Sequence, residues 1–129
     1  MLSKLLALAA AGAVGTVARV LLSTWIQRVV RVDLPLGTAV VNVLGCFLFG
    51  IAFAAFEGRL AHLAGYRLIV LAGFMGGFTT FSSYMFDTQR LMEQGRATLA
   101  FANIGAQNAL GMMGLWLGLR IGLWSAQTS

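Results

Sequence analysis

The sequence predicts an all-α membrane protein of four transmembrane helices, the third of them broken at a Gly/Thr/Ser-rich segment. Composition is the first reason: of 129 residues, 59% are hydrophobic before the 16 Gly are counted and only 10% are charged. Soluble domains carry about 45–50% apolar residues with Gly included and about 25% charged ones. Length is the second, because a span takes about 20 apolar residues and the chain has room for four with short connections. Residues 1–129 thus make a single integral membrane domain. The third is charge placement: nine basic and four acidic residues, net +5, stand singly at the ends of apolar runs. No nucleic-acid groove is built that way. The single Cys and single His exclude disulfide frameworks, zinc clusters and thiol redox pairs. No cleavable signal peptide is read, since the first apolar stretch exceeds an h-region and no A-x-A-like site with a polar mature domain follows.

The first span covers about 5–26 and is interrupted only by Arg19 and a few small hydroxyl residues. A polar connection with Gln27, Arg28, Arg31 and Asp33 follows. Pro35 then stands at the start of the second span, about 34–56, where its missing N–H costs nothing. The loop from Glu57 to Arg67 contains the lone His62. The third span, about 68–94, carries Gly73, Gly76, Gly77 and then Phe78-Thr79-Thr80-Phe81-Ser82-Ser83-Tyr84. Paired Gly beside hydroxyl residues are poor company for lipid, so a break near 76–80 is expected, its freed backbone groups satisfied by protein, water or an ion. Helix resumes toward Gln94, with Asp87 and Arg90 at pairing distance. Gly95-Arg96 marks a turn, and the fourth span, about 97–124, holds Asn103, Gln107 and Asn108 in its first half. Trp25, Trp116 and Trp124 are placed as interfacial anchors.

Four crossings put Lys4, Arg59, Arg67 and Arg120 on one side and Arg28, Arg31, Arg90 and Arg96 on the other, leaving Arg19 inside. Lys/Arg bias in short loops sets orientation. A tally of four against four sets none, so dual topology and an antiparallel homodimer are expected. A chain this short also buries its own polar faces poorly, which again argues for an oligomer.

Polar residues inside spans are expensive and hence functional candidates. Thr38 and Asn42 share a helical face, as do Asn103 and Gln107, whose face Gly111 continues without a side chain. The two ladders either line a narrow path with donors or glue helices together. Arg19, following Gly12 and Gly15, either snorkels to the interface or lines an electropositive anion vestibule. Phe81 and Tyr84 share a face beyond the break; their positive ring edges either border a pore or simply pack. His62 is read as solvated and Cys46 as packed.

The run Gly76-Gly77-Phe78-Thr79-Thr80-Phe81-Ser82 resembles the G-G-x-T-T-F-S signature of the Fluc (CrcB) fluoride channels. Gly12-x-x-Gly15-x-x-x-Arg19 is similar to that family's first-helix pattern, and Gly37-Thr38-x-x-x-Asn42-x-x-Gly45 to its second. The resemblance covers essentially the whole chain. It implies a fluoride-selective channel in the cell (inner) membrane: an antiparallel dual-topology homodimer with two pores and a central structural sodium ion. Asn42 would be the pore-lining amide and Phe81 the first of two fluoride-facing aromatics. The carbonyl oxygens of Gly76 and Thr79 would hold the sodium ion. The sequence departs from the family pattern at Tyr84, where Phe is usual. It departs again on the fourth helix, where Asn103 and Gln107 occupy a track usually made of Ser, Thr, Tyr or His.

A selective path must replace fluoride's water with donors while excluding larger halides by width. Asn42, Thr38, Gln107 and Ser83 can donate and the Phe81 edge can assist. Transport would be passive, releasing fluoride that entered as neutral hydrofluoric acid, and nothing resembles an ATP site or a covalent catalyst. Two alternatives remain at this stage. A small multidrug transporter would require a carboxylate in the first helix, which has none. A structural membrane subunit would use its polar residues only as glue.

Overall fold

A computed structural model describes residues 1–127; the last two residues of the expected 1–129 unit lie outside the described residues. The first helix, α1, runs Leu2–Val30. It stops at Arg31, which takes a left-handed conformation with φ 48° and returns its N–H to the Gln27 carbonyl. Gln27 then folds the connection back: its Nε2 donates to the carbonyls of Val32 (2.8 Å) and Leu34 (2.9 Å), while its Oε1 accepts the Gly37 N–H at 3.3 Å. One long side chain thus satisfies three backbone groups that the turn exposes. Pro35 flanks the start of α2, Leu36–Glu57.

A 3-10 helix, Ala61–Tyr66, occupies the following connection. It is bracketed by an Arg67–Glu57 ion pair of 2.6 Å, exposed enough to contribute at most about 1 kcal/mol. The third hydrophobic segment opens as a π-helix, Ile69–Phe74, and continues as the four-residue α3, Met75–Phe78. Thr79 and Thr80 are extended, and α4 follows at Phe81–Glu93. Gly95, at φ +72°, turns the chain into α5, Ala97–Gln127. Arg96 anchors that turn to Asp33 at 2.7 Å.

Among the described residues three helical segments are long and apolar enough to cross a membrane: Leu2–Val30, Leu36–Glu57 and Ile69–Glu93. Only 6% of the most apolar window of α1 is buried within the chain. An apolar surface of that extent needs lipid or another protein around it.

Backbone-to-backbone approach holds the helices together. A Cβ on Gly118 of α5 would fall onto the Phe47 carbonyl of α2, and one on Gly15 of α1 onto the Phe74 carbonyl. In a bilayer the hydrophobic effect does not drive helices together, so dispersion between close backbones does. The small interior consists, among the described residues, of Ile26, Val41, Ala54, Phe56, Met75, Phe78, Tyr84, Leu91 and Ala100, with Thr88 and Gln107 as its buried polar members.

One expected contact is replaced. Asp87 does not pair with Arg90; its Oδ2 accepts the Thr38 hydroxyl at 2.7 Å, while the Arg90 guanidinium lies over the Phe86 ring at 6.0 Å. The α2–α4 packing brings Thr38 to the carboxylate, and Phe86 is the neighbour four residues before Arg90 on the same helix.

Candidate functional site

The interruption between α3 and α4 follows from side chains that outcompete the helical ladder. Thr79 closes α3, with both its N–H and its hydroxyl donating to the Met75 carbonyl at 3.0 Å. Thr80 opens α4 as its N-cap: Oγ1 accepts the Ser83 N–H at 3.2 Å and donates to Ser83 Oγ at 3.0 Å. Between these caps the Thr80 peptide has no helical partners. Asn42 supplies them from α2, accepting the Thr80 N–H at 2.8 Å and donating Nδ2–H to the Thr80 carbonyl at 3.1 Å.

The second Nδ2 hydrogen of Asn42 goes to Gln107 Oε1 at 2.9 Å. From there a directed chain continues. Gln107 Nε2 donates to Asn103 Oδ1 at 3.0 Å, Asn103 Nδ2 to Thr88 Oγ1 at 2.9 Å, and the Thr88 hydroxyl to the Tyr84 carbonyl at 2.8 Å. The thread therefore joins α2, α5 and α4. Among the described residues no buried side-chain nitrogen or oxygen lacks a partner, as an apolar surrounding demands.

Arg19 sits at the same interruption from the α1 side: its Nε donates to the Gly77 carbonyl at 3.1 Å. In a continuous helix that carbonyl would take the Phe81 N–H. A cation at the C-terminal end of a helical segment also meets its negative pole. Arg19→Met is expected to lower stability by about 2 kcal/mol, the scale of a hydrogen bond to a charged group; thermal unfolding in detergent reads it.

Two cavities border these groups. A cleft of about 450 Å³ contains Thr38, Asp87, Asp33, Arg90 and Arg96. A smaller cavity of about 260 Å³ lies at the interruption itself, lined by Asn42, Gly45, Cys46, Phe49, Thr79, Thr80, Phe81 and Tyr84. The Phe81 and Tyr84 rings meet edge to face there, with centroids 5.7 Å apart and planes at 65°. Tyr84 is buried, while Phe81 is 72% exposed. A separate apolar groove of about 610 Å³ between α2 and α5 touches the polar thread only at Asn103 and Gln107.

The sequence-derived candidates are therefore partly gathered. Asn42, Thr79, Phe81 and Tyr84 line one cavity, Asn103 and Gln107 join it through the amide thread, and Ser83 joins through its cap on Thr80. Thr38 is drawn away toward Asp87. Gly76 is exposed, and a Cβ there would meet nothing within 4 Å. Two participants escaped the sequence reading: Asp87, expected to pair with Arg90, and Asn108, whose Nδ2 donates to Tyr84 Oη at 2.9 Å. The only advance signal for the latter was that Asn108 lies among polar residues of the fourth span.

These features define a helical membrane protein with a polar thread laid through its apolar interior. Residues 6–119 match the family described as CrcB-like protein, Camphor Resistance (CrcB). The chain is 47% identical over 122 residues to the fluoride-specific ion channel FluC of Solidesulfovibrio magneticus, covering 95% of this chain and 98% of that one. It is 43% identical over 119 residues to the FluC of Maridesulfovibrio salexigens, covering 92% and 94%. With the FluC of Nitrosococcus oceani it shares 44% over 121 residues, covering 94% and 97%. The chain belongs to the CrcB family.

Proposed function

We propose that the protein is a fluoride-selective channel that passes fluoride passively out of the cytoplasm across the inner membrane. The observation that carries this reading is the interruption at Thr79–Thr80, where Asn42, the N-terminal end of α4 and the Phe81–Tyr84 pair all border one cavity. The first turn of α4 presents unpaired N–H groups and the positive end of the helix dipole. Aromatic edges add positive partial charge without a full cation that would trap the ion. A small, strongly hydrated anion is thereby offered replacement donors at one cavity. Asn42 takes part by holding the interruption open and lining it, and Ser83 keeps Thr80 in its capping conformation. Asn103 and Gln107 fix the amide plane of Asn42 through the thread. Thr38 and Asp87 border the polar cleft.

In the same reading each chain crosses the membrane four times, its third span broken, and two chains pair in antiparallel, dual-topology fashion to give two pores. The even split of basic residues and the exposed apolar face of α1 support this. A sodium ion fits the donor chemistry at the interruption. With the Thr80 N–H committed to Asn42, the Gly76 carbonyl loses its ordinary helical donor, and the face of Gly76 is open. Uncharged oxygen donors suit a hard cation. The carbonyls of Gly76 and Thr79 would hold it, and the ion would supply charge that ties the two copies together.

Fluoride efflux from liposomes holding the purified protein, followed with a fluoride electrode, tests the reading. Loss far faster than from empty vesicles is expected; an identical rate overturns it. Phe81→Ile is expected to slow that efflux about tenfold, about 1.4 kcal/mol of barrier, with the dimer intact by size-exclusion chromatography. An unchanged rate would remove the Phe81 ring from the path.

A further inference from the structure

Each polar side chain around the cavity of about 260 Å³ can be followed to where its hydrogens go. Both Nδ2 hydrogens of Asn42 are committed, to the Thr80 carbonyl and to Gln107 Oε1. The Thr79 hydroxyl donates to the Met75 carbonyl and the Thr80 hydroxyl to Ser83 Oγ. The Cys46 thiol is a weak donor. The Tyr84 hydroxyl is different. Its oxygen accepts from Asn108 Nδ2 at 2.9 Å, and among the described residues no acceptor takes its own proton.

Asn108 fixes that polarity. Its Nδ2 is held between Tyr84 Oη and the Ile104 carbonyl one turn back at 2.8 Å, so both amide hydrogens are committed, and a flip would set Oδ1 against the Ile104 carbonyl oxygen. A phenol carries one donor and accepts through its oxygen. With the acceptor side taken by Asn108, what Tyr84 has left to offer is a proton. Tyr84 is only 6% exposed, and an unmet hydroxyl proton in an apolar surrounding is costly. Its acceptor must come from outside the chain.

We propose that the Tyr84 hydroxyl is a specificity-determining donor to the permeating anion and that Asn108 is the positioning residue that aims it. The inference rests on the channel reading above and deepens it. A chain with Phe at this position would offer only a ring edge. Here a directed O–H adds a hydrogen bond that a small, strongly basic halide takes best, while Asn108 keeps the lone pairs of the phenol turned away from the anion. Asn108 touches no ion; it acts through Tyr84.

Fluoride efflux of Tyr84→Phe, Asn108→Leu and the double variant is compared with that of the unsubstituted protein. Each single change is expected to slow efflux about fivefold, the scale of one neutral hydrogen bond, and the double variant to be no slower than Tyr84→Phe. In parallel, tyrosine labelled with 13C at Cζ is followed by NMR as sodium fluoride is added to the unsubstituted protein. The Tyr84 resonance is expected to shift and that of Tyr66, the only other tyrosine, to stay in place. Sodium chloride at equal concentration should move neither. Wild-type efflux from either single variant, a double variant slowed multiplicatively, or a Tyr84 resonance indifferent to fluoride would each overturn the proposal. The resonance keeps the test decisive if Asn108→Leu fails to fold. Absent efflux from the unsubstituted protein would overturn the channel reading; a Tyr84 shift would then still uphold the donor, and no shift would end both.

Discussion

Asn42→Leu is expected to slow fluoride efflux at least a hundredfold or so, about 3 kcal/mol, and to lower the thermal stability of the protein in detergent. Leucine is close to asparagine in size, so the change removes chemistry more than volume. It orphans the Thr80 N–H, the Thr80 carbonyl and Gln107 Oε1 together, all of which Asn42 now satisfies. Each unpaired group costs about 1–3 kcal/mol. The chain can recover part of that only by letting Thr80 N–H return to the Gly76 carbonyl, which would wind α3 into α4 and erase the cavity. Asn42→Asp separates the elements of this effect. The carboxylate keeps an acceptor for the Thr80 N–H but turns negative oxygen toward the Thr80 carbonyl and Gln107 Oε1, so it is expected to be as slow as Asn42→Leu. Efflux near the wild-type rate in either variant would show that the amide does not hold the interruption.

Gly118→Val is expected to abolish accumulation of folded protein in the membrane. Even the first carbon of the new side chain would lie on the Phe47 carbonyl oxygen and close to Ile51 N and Phe47 C, each at 3.1 Å. These are backbone atoms, which cannot swing aside as a flexible side chain can. Relief requires separating α2 from α5, and that separation would also part Asn42 from Gln107. Gly105→Ala on the same helix is the matched control, because a Cβ there meets nothing within 4 Å and Ala favours a helix over Gly by about 1 kcal/mol. It is expected to accumulate at wild-type level. Membrane yield and elution profile of the two variants decide the matter; equal yields would contradict close backbone packing of α2 on α5.

How much of this the sequence discloses depends on the range of the interaction. The helical class and the membrane-length apolar segments at Leu2–Val30, Leu36–Glu57 and Ile69–Glu93 were legible, since apolar runs of span length admit little else. Family membership was legible from the run Gly76 to Ser82 and the two upstream glycine patterns. Residue partners were not. Nothing local links Asn42 to Thr80, Thr38 to Asp87 or Arg19 to Gly77, because each bond depends on how separate helices dock. The Asp87–Arg90 expectation failed for that reason: helical spacing permits the pair, but a hydroxyl from α2 reaches the carboxylate instead. The π-helical opening at Ile69–Phe74 has no marker in periodicity either, as a single wide turn leaves the hydrophobic pattern nearly unchanged. Asn108 was visible as a polar residue, but its partner Tyr84 lies 24 positions earlier on another helix.

Selective permeation by fluoride is measured most directly as a reversal potential. The purified protein is placed in a planar bilayer between unequal sodium fluoride concentrations, with sodium chloride added to one side. Current reversing close to the fluoride equilibrium potential, unmoved when the chloride concentration is changed, is the expected result. Current that follows chloride, or a bilayer that stays silent at protein densities giving clear incorporation, would contradict a fluoride-selective path through the cavity at Thr79–Thr80.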